Sequence, residues 1–255
     1  MGIYVITHKF IDKKPKLSEE YNWLYVGASS QTDKQQGYLY DDTGTNISDK
    51  NPYFCELTGL YWIVNNSKDN IKGLTHYRRF FTRNPLSNKD KYFYSYSELE
   101  AMLSQYDCLL PNRLYFPYGN IGEYYKKNHN AKDLDILREV IQDVSEEYLE
   151  AYDQAFAVRY MFPYNMMVAK KEIFDSYCQW LFKVLLEFEK KIDVSGRGAY
   201  QSRVYGFLAE RLLNVWIIKN GIKYKEIGCI QTDSRFRYRI RILLERIFAR
   251  PLLSR

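Results

Sequence analysis

The sequence predicts an α/β protein in which a mostly parallel central sheet is flanked by helices. Short β-rich runs alternate along the chain with segments of helical periodicity, which is typical of parallel sheets built from strand–helix–strand units. A block of helical segments interrupts this alternation over about residues 120–160 and predicts a helical insertion. The 255 residues are 46% hydrophobic and 27% charged, so the chain can bury a core of its own.

The first strand is predicted over residues 3–6. It ends in the polar residues Thr7, His8 and Lys9. Because ligands bind beyond the carboxyl ends of the strands in open α/β sheets, these three side chains are expected at a ligand site. Residues 17–49 are polar and interrupted by glycines, and they predict loops with at most short strands.

A helix is predicted from Asn51 to Asn66. Pro52 suits its first turn, and its apolar residues keep helical spacing. The second buried strand, over residues 71–74, runs into a segment that contains His76, Tyr77, Arg78 and Arg79 and is predicted to be a basic aromatic loop.

The second half of the chain alternates again between helices and strands. Its first helix is predicted to have Ser97 as the N-cap. The predicted elements are a helix over 97–105, a strand over 106–111, insertion helices around 121–128, 132–143 and 146–156, a strand over 164–169, and helices over 171–190 and 201–219. His129 is expected at a solvated helix end.

The polar residues after the strands are expected to share one crevice, which is cationic and aromatic. Arginine gives bidentate hydrogen bonds to phosphate and tyrosine can stack on a base, so a phosphorylated ligand is expected. Arg78 and Arg79 are the strongest signal, because two consecutive arginines at the end of a buried strand are costly unless an anion meets them. A buried ion pair with acids of the protein is the alternative.

Two further groups of polar residues are candidates for a site. Asp41, Asp42 and Asn46 lie in a segment of oxygen ligands that can hold Mg²⁺ or Mn²⁺ or hydrogen-bond a sugar, with a structural Asx turn as the alternative. Glu210 and Arg211 are adjacent in the last helix. The arginine can keep Glu210 ionised as a general base, or the two can form a structural ion pair.

The net charge of +6 comes from the end of the chain. Residues 234–255 contain seven arginines and one acid, which leaves 30 basic and 30 acidic residues elsewhere. Apolar residues between Phe236 and Phe248 share one helical face and predict a basic amphipathic tail on an anionic membrane surface. A helix packed on its own domain and an edge strand over 235–242 are the alternatives. No nucleic-acid partner is expected, since such proteins usually carry a basic stripe on the folded body.

Several classes of protein lose support from the sequence. The glycine-rich phosphate loops GxxxxGK[ST] and GxGxxG, the serine-hydrolase motif GxSxG and the zinc motif HExxH are absent. The four cysteines form no CxxC pair and are expected to be reduced. No apolar run approaches the ~20 residues of a membrane span, and the first residues lack the layout of a signal peptide, so a cytoplasmic location is expected.

Five segments occur in an order that resembles a known family. They are residues 3–9, 41–52, 73–81, 164–174 and 203–214. With their DDTG, HYRR, YNM and KKEIFD sequences they resemble the bacterial capsular and exopolysaccharide glycosyltransferases long grouped as a domain of unknown function. The resemblance covers roughly residues 3–230. It implies a GT-A-like nucleotide-sugar-binding fold, with a glycosyltransferase domain over 1–233 and the tail over 234–255.

The resemblance implies transfer of a hexose, with galactose or galactofuranose favoured, from a UDP-sugar to a lipid-linked oligosaccharide. This would take place in capsule or exopolysaccharide synthesis, on the inner face of the cell membrane. A module without catalytic activity that binds nucleic acid or anionic membrane through its basic tail is the alternative. The two are separated by UDP binding and by the salt dependence of oligonucleotide binding.

The resemblance also assigns site residues. Glu210 stands where the commonest inverting enzymes of this fold have their base, Asp41 or Asp42 is the second choice, and a retaining mechanism stays open. The substrate-binding residues are expected to be Thr7, His8, Lys9, Asn46, His76, Tyr77, Arg78, Arg79, Asn165 and Arg211. Where related folds have a metal-binding DxD, this strand ends in Thr75, His76 and Tyr77. No cofactor is therefore assigned, and Mn²⁺ or Mg²⁺ stays open.

Overall fold

The computed structural model describes residues 2–116 and 118–240. Its strands form a nine-stranded sheet and one separate two-stranded sheet made of β7 and β8. The strands are β1 (Gly2–Thr7), β2 (Tyr21–Tyr25), β3 (Leu39–Tyr40), β4 (Ile71–His76), β5 (Arg79–Phe81), β6 (Cys108–Pro111), β7 (Leu114–Tyr115), β8 (Tyr160–Met161), β9 (Met167–Lys170), β10 (Tyr224–Ile227) and β11 (Cys229–Gln231).

The main path through the large sheet has the order β10-β6-β9-β4-β1-β2-β3. Six of these seven strands point the same way, and β9 runs antiparallel to both of its neighbours. β5 and β11 continue antiparallel from the end of β4. The predicted α/β fold with a mostly parallel sheet is confirmed. The fully buried strands β1 and β4 are neighbours, so their carboxyl ends open on the same edge.

Helices cover the sheet. They are α1 (Asn51–Phe54), α2 (Leu57–Asn66), α3 (Tyr96–Leu103), α4 (Ile121–Asn128), α5 (Lys132–Ser145), α6 (Leu149–Ala157), α7 (Lys171–Lys191), α8 (Gly198–Gln201) and α9 (Val204–Asn220). The long α7 contacts β4 and β9 and packs on α2, α5 and α9. Its buried residues Phe174, Cys178, Leu181, Leu185 and Phe188 recur every three or four positions, as the sequence predicted.

Helices α4, α5 and α6 occupy the place predicted for the helical insertion. They lie between β7 and β8 in sequence, and α6 packs on α9. α9 is buried on most sides and ends at Gly221, whose φ of 58° is left-handed, as the Asn-Gly ending predicted. The insertion therefore supports the helix that carries Glu210.

Four local predictions are wrong. The strand predicted over 164–169 begins only at Met167, because Tyr164 and Asn165 have left-handed backbones. The helix predicted from Asn51 to Asn66 is broken at Cys55, whose φ of 51° is left-handed, and becomes α1 and α2. The cap of α3 is Ser95 rather than Ser97, because Ser95 and Glu98 form a reciprocal capping box. The segment after β4 is a tight turn rather than a loop, because Arg79 already pairs with His76 at the start of β5.

The start of the tail is helical over residues 236–240, so the edge-strand alternative is wrong for those residues. Arg239 ties this turn to the domain by donating to the carbonyl oxygens of Thr232 (3.0 Å) and Ser234 (2.8 Å). The rest of the predicted amphipathic helix, residues 241–255, lies outside the described residues. None of the described helices is long and apolar enough to cross a membrane.

Candidate active site

A cavity of about 490 Å³ opens where β1 and β4 end. Six parts of the chain form its walls: the end of β1, the loop after β2, α1 with its junction to α2, the turn between β4 and β5, the turn before β9, and the first turns of α9. Its polar lining residues include Thr7, His8, Asn51, Cys55, Glu56, His76, Tyr77, Arg78, Arg79, Tyr164, Arg203 and Glu210. The predicted crevice beyond the strand ends is therefore present, and seven of the predicted site residues line it.

One turn organises the interior of this cavity. Tyr164 and Asn165 precede β9 and both have left-handed backbones, with φ of 77° and 52°. The carbonyl oxygen of Tyr164 accepts from His76 Nε2 (2.7 Å), and its N–H donates to Glu210 Oε1 (2.7 Å). Asn165 Nδ2 donates to Glu56 Oε1 (2.7 Å). Two consecutive residues thus hold three titratable side chains of the cavity wall.

His76 is held as a neutral imidazole. Burial lowers the pKa of His76 below its ordinary value, and Arg79 and Arg78 lower it further, against the opposing effects of Glu56 and the Tyr164 carbonyl. Because a carbonyl oxygen only accepts, Nε2 carries the proton. His76 therefore adds a fixed hydrogen-bond donor to the turn without adding a positive charge.

Arg78 and Arg79 supply positive charge at the end of β4. Arg78 donates to Asp233 Oδ2 (3.1 Å), and the Arg79 guanidinium lies over the ring of Tyr164 at 4.5 Å. In both side chains Nε is buried without a hydrogen-bond partner among the described residues. Because both arginines line the cavity, this end of it can accommodate an anion.

Glu210 lies at the first turns of α9, and its side chain is 19% exposed. Burial raises the pKa of this carboxyl above its ordinary value, while Arg211 and the Tyr164 N–H lower it. Arg211 donates to Glu210 Oε2 (3.3 Å) and to the carbonyl of Phe207 (2.7 Å). Glu210 and Arg211 are therefore in contact, as one of the two interpretations of the sequence expected. Arg211 is buried, and it does not line the cavity.

The sequence model of a domain of unknown function, DUF4422, matches residues 2–221. The chain belongs to the DUF4422 family. The apo structure of WbbM, described as a bifunctional glycosyltransferase, has a similar fold, with a TM-score of 0.80 and 27% sequence identity. The similarity covers 91% of this chain and 45% of that one, so this DUF4422 chain spans less than half of that protein. No curated protein gives a significant match to the chain.

The acidic segment of this DUF4422 domain does not reach the cavity lining. Asp41 is fully buried and accepts from the backbone N–H of Gly27 (3.1 Å) and Ala28 (3.0 Å) and from Ser48 Oγ (2.5 Å). It therefore fixes the loop after β2, where Val26 lines the cavity. Asp42 pairs instead with Lys34 at 2.7 Å.

Asn46 and Lys9 are likewise outside the lining. Asn46 Oδ1 accepts from the Ser48 N–H (3.2 Å), so this stretch has the Asx-turn geometry that was its alternative interpretation. The Lys9 ammonium lies over the Tyr77 ring at 5.1 Å, and Thr7 Oγ1 donates to the Lys9 carbonyl (2.5 Å). Lys9 thus adds positive charge close to the turn after β4.

The sequence did not single out Glu56, Cys55 or Arg203, which also line the cavity. Arg203 Nε donates to Cys55 Sγ (3.0 Å), and burial raises the pKa of that thiol. Cys55 and Glu56 face the cavity because the chain turns at Cys55, and the uninterrupted helical pattern gave no signal of that break. His129 is also not solvated, since its ring packs on Phe207 at 4.3 Å.

The residues at the end of β4 do not fit a divalent cation. His76 commits Nε2 to a carbonyl oxygen, and the next charged residues are the guanidinium groups of Arg78 and Arg79. Within residues 2–116 and 118–240, no three His, Cys, Asp or Glu side chains are grouped closely enough to hold a metal ion. At this strand end, the charged side chains that line the cavity are arginines and not carboxylates.

Proposed function

We propose that this domain is a GT-A-like glycosyltransferase that transfers a hexose, galactose or galactofuranose, from a UDP-sugar to a lipid-linked oligosaccharide in capsule or exopolysaccharide synthesis. The observation that carries the proposal is the cavity itself, where the unpaired Nε donors of Arg78 and Arg79 share walls with Glu210. Similarity to a glycosyltransferase structure supports the reaction class.

Diphosphate binding and proton removal take place in two different parts of the cavity. Arg78 and Arg79 hold the diphosphate and stabilise the charge that develops on it as the bond from the anomeric carbon to the UDP oxygen breaks. Glu210 takes the proton of the acceptor hydroxyl, whose oxygen forms the new bond to the anomeric carbon. The carboxylate is suited to this step, because burial raises its pKa towards neutral pH. This is inverting chemistry with one carboxylate base.

UDP binding tests the proposal most directly. Saturating UDP is expected to stabilise the protein, since a ligand at 100 times its Kd adds ~2.7 kcal/mol to the free energy of unfolding. The measurement is thermal unfolding across a titration with UDP, with uridine as the control that lacks phosphates. Unchanged unfolding at millimolar UDP, together with a steeply salt-dependent affinity for oligonucleotides, would instead support the module without catalytic activity.

The tail is proposed to bring the enzyme to an anionic membrane surface, on the cytoplasmic side. Four arginines and one acid lie within residues 241–255, and this part can be removed without losing the contacts of Arg239. Deleting 241–255 is expected to abolish sedimentation with vesicles that contain phosphatidylglycerol, because each arginine near the surface contributes roughly 1 kcal/mol.

Two measurements complete the tail experiment. UDP stabilisation of the truncated protein should match that of the full chain, since the lining residues described for the cavity fall between Ile6 and Glu210. Raising the salt to ~1 M should release the full chain from vesicles, because the Debye length falls to ~3 Å. If the full chain ignores phosphatidylglycerol vesicles at low salt, the membrane assignment is wrong.

A further inference from the structure

Three aromatic side chains form a cluster beside the cavity, here called the aromatic platform: His129, Tyr200 and Phe207. The His129 and Phe207 rings lie 4.3 Å apart, and the Tyr200 and Phe207 rings lie 5.1 Å apart. Tyr200 is the outermost member and is 60% exposed. Tyr200 therefore offers an accessible ring face beside Phe207, which lines the cavity.

The platform is continuous with the candidate active site. Phe207 lines the cavity and stands one helical turn before Glu210 on α9, so the two side chains share a face of that helix. Tyr200 extends the same surface outward from α8. A molecule that reaches Glu210 along α9 therefore passes over these rings.

The imidazole of the platform is held in place and carries no charge. His129 Nδ1 donates to Gln201 Oε1 (3.1 Å), and Gln201 Nε2 donates to the Asn128 carbonyl (2.9 Å), which fixes the imidazole. Burial lowers the pKa of His129, with Arg211 acting in the same direction and Gln201 and Asp133 opposing it. The imidazole is therefore neutral near pH 7.

We propose that the aromatic platform is the acceptor subsite, where the ring of a neutral sugar lies against Tyr200 and Phe207 with its hydroxyl directed to Glu210. This inference rests on the proposed function and adds the place and the chemical class of the acceptor. The apolar C–H face of a pyranose can pack on the face of an aromatic ring, and the polar groups of Gln201 lie beside the platform. A diphosphate is better served by the arginine end.

Saturation-transfer NMR on the full chain with methyl glycosides of galactose, glucose and mannose tests the subsite, with and without UDP. At least one glycoside should receive saturation from the aromatic protons of the parent protein. Tyr200→Ala is expected to weaken that binding about tenfold, whereas Tyr200→Phe keeps the ring and should bind like the parent. Tyr118→Ala, which removes a tyrosine that is 86% exposed, is the matched control and should leave binding unchanged.

The outcomes separate the subsite from the proposed function. If UDP stabilises the protein but Tyr200→Ala binds the glycoside like the parent, or no glycoside binds, the subsite is wrong while the donor site stands. If Tyr200→Ala weakens UDP binding about tenfold, the platform holds the base of the nucleotide and the acceptor assignment is overturned. If UDP does not bind, the proposed donor site is wrong. The glycoside titration without UDP then still tests whether the platform binds a sugar.

Discussion

Glu210→Gln is expected to lower sugar transfer about 100-fold or more while UDP binding stays at the parent level, since a general base contributes 10²–10⁴-fold. Glutamine keeps an oxygen that accepts the Tyr164 N–H, and Arg211 keeps its bond to the Phe207 carbonyl, so the fold around α9 should hold. Glutamine cannot take a proton from the acceptor hydroxyl. The measurement is UDP release with a saturating donor and acceptor, alongside the UDP titration of the same variant.

The pH dependence of turnover provides a second readout for Glu210. A base acts only when ionised, and burial raises the pKa of this carboxyl above its ordinary value. Turnover should therefore fall as the pH is lowered through that raised pKa, and Glu210→Gln should lose this acidic limb. Glu56 is the comparison, because it is the other cavity carboxylate held by the Tyr164–Asn165 turn. If Glu56→Gln removes the limb and Glu210→Gln keeps it, Glu56 is the base.

Arg79→Ala is expected to weaken UDP binding by ~1.5–3 kcal/mol, the range for hydrogen bonds to charged groups, which is about 10-fold to 150-fold in Kd. Arg78→Ala should act in the same direction with a smaller effect, since Arg78 already donates to Asp233. Because the lost contacts are to phosphate, the affinity for uridine should not change. Isothermal titration with UDP and uridine measures both.

Arg83→Ala is the matched control for the arginine variants. Arg83 follows β5 in sequence, pairs with Glu98 and lies outside the cavity lining, so its loss should leave UDP binding unchanged. The diphosphate assignment fails if Arg78→Ala and Arg79→Ala both bind UDP like the parent. It also fails if uridine and UDP lose affinity equally, because the arginines would then act on the nucleoside.

The sequence predicted the elements whose signal is local. The buried strands β1 and β4 are apolar runs, and α7 repeats apolar residues at helical spacing, so their positions follow from patterns that burial enforces. The cationic crevice followed from the rule that strand ends of a parallel sheet meet at one edge. These parts of the fold and of the site could be predicted because each depends on a short stretch of chain.

The rest depends on contacts between distant residues. Glu56 reaches the cavity because the backbone at Cys55 is left-handed and because Asn165 holds the Glu56 carboxylate. Glu56 lies 109 positions before Asn165 in the sequence, and Cys55 lies 110 positions before it. Tyrosine and cysteine rarely adopt left-handed backbone conformations, so the residue types at positions 164 and 55 gave no signal of these turns. Asp41 looked like a ligand of a metal or sugar, and only tertiary structure reveals that its oxygens are taken by backbone N–H groups and Ser48.

The turn at Tyr164 and Asn165 couples three side chains of the candidate active site energetically. His76, Glu56 and Glu210 come from three different segments, yet each is restrained by one of these two neighbouring residues. A shift of that turn disturbs all three restraints together, so the energetic effects of changes at these side chains will not add as those of independent sites do. Natural variation at the three positions is therefore expected to be correlated, and a sequence that alters one must accommodate the other two.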